Sequence, residues 1–154
     1  MRYAAAIDGA ATAATADQSG VHLWNPHSTK WIYVREIHVF TTAATAQHPG
    51  VIRTSTIGTT PATTVTPDAD NAFDRSAAPA SGCVLYSAAF SGGYPTVQGP
   101  YMYRAIIPAA IGAAIMWSWL DGTGIGVPPG TWLAVATPIA TALQANRYSY
   151  VWDE

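Results

Sequence analysis

The 154-residue chain holds four histidines, nine acidic residues and one cysteine from which a reaction centre could be assembled. A metal centre on a β-scaffold wants two imidazoles one strand step apart plus a carboxylate, because alternate residues of a strand point to the same face. His22, His27, His38 and His48 include no pair with that spacing. The nearest substitute is Glu36 with His38 on the expected strand Trp31 to Thr41, and a hydrogen-bonded or edge-exposed imidazole is the simpler expectation. Asp68-Ala69-Asp70-Asn71-Ala72-Phe73-Asp74 offers oxygen ligands for a cation. An EF-hand loop, however, needs Gly at its sixth position and Glu at its twelfth, where this chain has Phe73 and Pro79. No Gly-x-Ser-x-Gly nucleophile turn occurs, and Cys83 has no histidine nearby in sequence, so it reads as a small buried hydrophobe. Gly122-Thr123-Gly124-Ile125-Gly126 lacks the lysine of a phosphate loop and reads as a turn. The expectation is therefore a non-enzymatic chain with no catalytic residue, no metal ligand and no cofactor.

Composition narrows the class further. Charged residues make up 10% of the chain, against about 25% in a typical domain. Thr, Ser and Ala stand in their place, as expected of a surface largely covered by neighbouring protein. The net charge is -2 and the seven basic residues are scattered singly, leaving no footprint for nucleic acid. A single cysteine excludes an internal disulfide and suits a reducing compartment. Asp8 interrupts the opening apolar run before a signal peptide could develop. Ala105 to Leu120 is too short for a bilayer span and is broken by Pro108 and Gly112, so no membrane partner is expected.

Thirteen Gly and eleven Pro punctuate short apolar runs throughout the chain, the rhythm of an all-β domain. Residues 1–20 form an Ala/Thr-rich segment that reads as an extended N-terminal arm, with room for one edge strand. Residues 21–154 read as a single antiparallel two-sheet β-sandwich. Eight strands begin near Val21, Trp31, Val51, Cys83, Tyr101, Ile111, Thr131 and Arg147, the number of a jelly roll. On the long strand, Trp31, Tyr33, Arg35, Ile37 and Val39 fall on one face and Ile32, Val34, Glu36, His38 and Phe40 on the other. Both faces are apolar enough to make the strand central. Ile111 to Leu120 is read as a strand because a period of two separates its large residues from its small ones.

Six Trp and eight Tyr exceed what one sandwich core usually holds. Trp117 and Trp132 are expected in the core. Tyr94, Tyr101, Tyr103, Tyr148 and Tyr150 are candidates for subunit contacts, as are Tyr3 and Ile7 of the arm.

Val21-His22-Leu23-Trp24-Asn25-Pro26, the strand Trp31 to Thr41, the corner Val127-Pro128-Pro129-Gly130-Thr131-Trp132-Leu133 and the closing Tyr148-Ser149-Tyr150-Val151-Trp152 together resemble small virion proteins of tailed bacteriophages. The resemblance spans Val21 to Glu154. It implies a jelly-roll or related sandwich that decorates or cements a capsid, as a homotrimer bound to the major capsid protein or another virion protein. It also implies a virion location after assembly in the host bacterial cytoplasm. A receptor- or glycan-binding module of a tail or fibre is the alternative, and a cupin-like metalloenzyme using His22, His38 or Glu36 is a more distant one.

Overall fold

The computed structural model describes residues 1–56, 63–67, 81–87, 95–120 and 122–154. Among these residues there are eleven strands and no helix. They are β1 (Arg2–Asp8), β2 (Ser19–Trp24), β3 (Ile32–Phe40), β4 (Gly50–Thr54), β5 (Thr63–Val65), β6 (Val84–Ser87), β7 (Val97–Arg104), β8 (Ala114–Ser118), β9 (Ile125–Val127), β10 (Trp132–Ala136) and β11 (Arg147–Asp153). Sheet A runs β1-β11-β3-β8, with β9 also paired to β3, and sheet B runs β5-β6-β2-β10-β4-β7. Every pairing is antiparallel. The protein is an all-β antiparallel sandwich.

Three cross-strand rows of sheet A face the interior. They are Tyr3–Trp152–Val34–Ile125, Ala5–Tyr150–Ile37–Trp117 and Ile7–Tyr148–Val39–Ile115. Val21, Leu23, Leu85, Val51, Leu133 and Val135 of sheet B meet them in one core. Each fully buried side chain of this size contributes about 1.5–3 kcal/mol of transfer free energy. Tyr148 fits because the chain opposite it has no side chains: a Cβ on Gly20 would lie 2.3 Å from its hydroxyl, and one on Gly9 equally close to its ring.

Within the segment expected as an arm with room for one edge strand, Arg2–Asp8 forms an edge strand of sheet A, paired with β11 through seven residues. Tyr3, Ala5 and Ile7 alternate with outward Ala4 and Ala6, so the segment does possess a core face, made of two large residues and a small one. Tyr3 is 1% exposed and Ile7 5%, which removes both from the set of contact residues. Tyr148 and Tyr150 are corrected in the same way, since both are fully buried in the strand that joins β1 to β3. β1, β5 and β9 are additions to the eight expected strands; each of the eight matches one of the others.

The two faces expected of the long strand are also corrected. Val151 lies opposite Glu36 but Trp152 lies opposite Val34, so Arg35 is an extra residue, a β-bulge. Side-chain parity switches there: Ile32 and Val34 enter the core before the bulge, and Ile37 and Val39 after it. β8 and β9 cover the two halves of β3 separately. Trp117 is half-buried against the core as expected, whereas Trp132 is buried on the side of sheet B that faces away from it.

The corner residues and the first strand are partners. Leu23 pairs with Leu133 and Trp24 with Trp132, and the two indoles stack at 4.0 Å between centroids. Thr131 donates its N–H to the Pro128 carbonyl, closing a turn in which Gly130 takes the φ of 66° that only Gly adopts freely. Gly130 in turn donates to the Asn25 carbonyl.

Two substitutions test this arrangement by urea unfolding. Ile7→Ala should cost about 2–5 kcal/mol because it opens a cavity in the core, whereas a detached arm would show no change. Tyr150→Phe should leave stability equal or raised. Its hydroxyl is buried with no hydrogen-bond partner among the described residues, and removing an unsatisfied polar atom relieves about 1–3 kcal/mol of desolvation cost.

Candidate functional site

The outward side of sheet A is the most distinctive surface among the described residues. Its rows are Arg2–Asp153–Tyr33–Gly126, Ala4–Val151–Glu36–Ser118, Ala6–Ser149–His38–Met116 and Asp8–Arg147–Phe40–Ala114. Charge is gathered at the two ends. Asp153 accepts from Arg2 Nε at 2.8 Å and from Arg35 Nε at 2.6 Å, and Arg147 Nε donates to Asp8 at 2.8 Å at the other end. Burial alone would raise the Asp153 carboxyl, but hydrogen bonds and charge from Arg2 and Arg35 outweigh it and hold the group below the usual carboxylate range. Between the ends lie small residues and the single Glu36–His38 contact at 3.0 Å.

Large apolar groups project from this face. Trp31 is 49% exposed, Tyr33 45%, Phe40 40% and Met116 59%. Trp31 and Tyr33 flank Gly126, where a Cβ would stand 3.1 Å from the indole. A shallow depression of about 520 Å³ lies between Arg2, Arg35, Glu36, Trp119 and Leu120. The surface carries its arginines at its two ends, one Glu36–His38 pair between them and exposed apolar groups beside that pair, a form suited to contact with another protein surface.

Of the contact residues expected from sequence, Tyr103 alone among those described keeps an exposed ring, at 39%. Its hydroxyl accepts from Trp119 Nε1 at 2.9 Å, which ties the edge of sheet B to sheet A. Tyr101 is half-buried, donating to Asp17 Oδ1 at 2.8 Å and to the Thr137 carbonyl at 3.0 Å. Burial, then the bond to Asp17, pushes its phenol up. It is a pin between β7 and the β1–β2 connection rather than a contact residue. Tyr94 and the Asp68–Asp74 run lie outside the described residues. Sequence reasoning missed Trp31, Tyr33, Phe40 and Met116; the parity of Trp31 and Tyr33 was visible, but the bulge that turns Phe40 outward was not.

The residues weighed for a cupin-like metal centre do not converge. His22 points away from the core on β2 of sheet B, while Glu36 and His38 point away from it on β3 of sheet A, the opposite side of the sandwich. His22 is fully buried, with Nε2 at 2.5 Å from Ser19 Oγ and Nδ1 at 3.4 Å from Thr54 Oγ1. A different set does come together. His27, Cys83 and Glu154 each bring one ligating atom within 4.8 Å of the other two. Burial first, then the neighbouring Glu154 carboxylate, pushes the Cys83 thiol up, so the sulfur is protonated at neutral pH.

No protein-family model, no curated protein and no solved structure matches this chain.

Burial lowers the His22 imidazole to about 3 in the fold, from an ordinary value near 6.5. The unfolded chain therefore binds a proton that the native state does not. The His22 contribution to stability should be level above about pH 6.5 and fall as the pH is lowered, with a slope approaching one proton per molecule. His22→Gln should flatten the slope between about pH 6 and 5 in urea titrations; an unchanged slope would contradict a buried neutral imidazole.

Proposed function

We propose that this protein is a structural component of a bacteriophage virion, a decoration or cement subunit that binds across neighbouring capsid subunits through the outward face of sheet A. The observation that carries the reading is that face: its arginines are paired with Asp153 and Asp8 at the ends, its one central carboxylate Glu36 is paired with His38, and Trp31, Tyr33, Phe40 and Met116 are exposed on it. The low charge of the whole chain supports it, because a domain wetted on all sides ordinarily carries interspersed charge.

Strand order supports a jelly roll. With β5 and β6 set aside and β9 taken as a continuation of β8, β1-β11-β3-β8 stands opposite β2-β10-β4-β7. Successive strands change sheets at every step except β4 to β7, which is the path of two Greek keys. Such a subunit acts mechanically. By binding only the assembled shell it lowers the free energy of the closed lattice relative to its separated pieces. We place three copies in the working unit, with apolar groups such as Trp31 and Phe40 shared between copies and the shell.

Phe40→Glu combined with Met116→Glu tests the reading, because both residues are exposed and the variant keeps the core intact. Expected outcomes are a folded protein with an unchanged thermal midpoint, loss of co-sedimentation with virus particles, and wild-type subunits seen on the shell by electron microscopy of those particles. A wild-type protein absent from particles, or a double variant that binds them as before, would overturn it.

A further inference from the structure

At one end of the sandwich the chain assembles a donor set that neither the sequence pattern nor the decoration reading requires. We propose that His27 Nε2, Cys83 Sγ and a carboxylate oxygen of Glu154 form a transition-metal site of the zinc class. The three residues come from the β2–β3 turn, the residue before β6 and the residue after β11, and one ligating atom of each lies within 4.8 Å of the others. An ion bound at about 2.0–2.3 Å holds such donors roughly 3.5 Å apart, so closure needs movement on the order of 1 Å.

The chemistry selects the metal class. Thiolate and imidazole are donors for zinc and its neighbours, whereas calcium and magnesium take oxygen alone. Thiolate and carboxylate together carry the charge that balances a divalent cation, and binding expels the thiol proton. The fourth coordination position is left for water or a further group.

The orientation of the groups supplies an independent argument. His27 Nε2 is buried and has no hydrogen-bond partner among the described residues, although Glu154 Oε2 lies 3.5 Å away. A buried imidazole nitrogen without a partner is costly, and a metal ion would satisfy it. The ring is fixed against Gly82, where a Cβ would come within 2.7 Å of its Cε1. The Asn25 side chain holds the turn by accepting the His27 N–H at 3.1 Å.

Glu154 is held just as firmly. It accepts from the Ser81 hydroxyl, from Trp152 Nε1 at 3.1 Å, and from the backbone N–H groups of Gly82 at 3.3 Å and Cys83 at 3.4 Å. Supporting hydrogen bonds of this kind orient ligands in metal sites. Among the described residues, Lys30 and Tyr3 also bear electrostatically on the cluster, and the Met1 ammonium donates to the Glu154 main-chain oxygen at 2.6 Å. The ion would join the β2–β3 turn, β6 of sheet B and the end of β11 of sheet A, closing the sandwich at this end.

The test uses the metal-stripped full chain and Co²⁺ as the probe. One equivalent should bind, with a thiolate-to-cobalt charge-transfer absorption that Zn²⁺ abolishes and a rise in the thermal midpoint. Cys83→Ser should lose the absorption. His27→Ala, at a partly exposed turn position that leaves the core intact, should weaken Co²⁺ binding by about 100-fold or more, beyond the 10–100-fold typical of losing a supporting group. A wild-type chain that gives no charge-transfer band, or a band and affinity unaltered by His27→Ala, would overturn the site.

Discussion

The extra residue at Arg35 is the constraint on which sheet A is built. A nine-residue strand with strict alternation could place only one of two sets in the core, either Ile32 and Val34 or Ile37 and Val39. The bulge admits both. It also turns Arg35 outward to Asp153, while β11 follows the strand through the bulge on one edge and the other edge is shared by two short strands. Of these, β8 pairs up to Glu36, and β9 resumes at Val34. Trp119 N–H donates to the Arg35 carbonyl at 2.9 Å in the interval, and the Arg53 guanidinium reaches across from sheet B to the Gly126 carbonyl at 2.8 Å.

The same parity switch decides what the outer face looks like. Past the bulge the outward residues are Glu36, His38 and Phe40, beside Met116 and the small side chains of β1, β8 and β11. Partly exposed ion pairs such as Arg147–Asp8 add little to stability. At the ends of the face they can instead set the registry of an approaching surface and disfavour mispaired ones. Pairing avoids the desolvation cost that unpaired charges would impose on binding. Few charges, each held in a pair, are thus an arrangement that limits this cost.

Most of the sheet architecture was legible in the sequence because it is written in a period of two. Eight strands could be placed, and the separation of Ile115 and Trp117 from Ala114, Met116 and Ser118 correctly argued strand over helix. β1 was harder to read because its inward set is Tyr3, Ala5 and Ile7, in which Ala gives no hydrophobic signal of its own. Its fit depends on Trp152 filling the space from β11, a partner 149 residues away from Tyr3 in the chain. β9 has only Ile125 and Val127 around a Gly and exists because β3 offers an edge. The bulge has no sequence signature, so the two faces of β3 were misread and with them the exposure of Phe40. Tyr148 and Tyr150 looked like contact residues because aromatic content alone does not say which side of a sheet is filled. His27, Cys83 and Glu154 lie far apart in the chain, and only the sandwich brings them together.

Polar side chains inside the sandwich are concentrated where strands stop, and there they do what ladder hydrogen bonds do elsewhere. At one end Asn25 Nδ2 donates to the carbonyls of Lys30 at 2.9 Å and Val127 at 3.0 Å, close to the Glu154 cluster. At the other, Gln47 and Asn146 exchange amide hydrogen bonds of 3.1 and 2.7 Å, and the Gln47 carbonyl oxygen also accepts the Gln144 N–H. Backbone groups at strand ends lose their ladder partners, and leaving them buried without replacements would cost more than these contacts add. The replacements are directional, unlike the apolar attraction of the core between them. They key the two sheets to each other at both ends. In the role proposed above, a subunit that spans neighbours in a shell would gain from this, since a clamp transmits force only as well as its own layers resist shear.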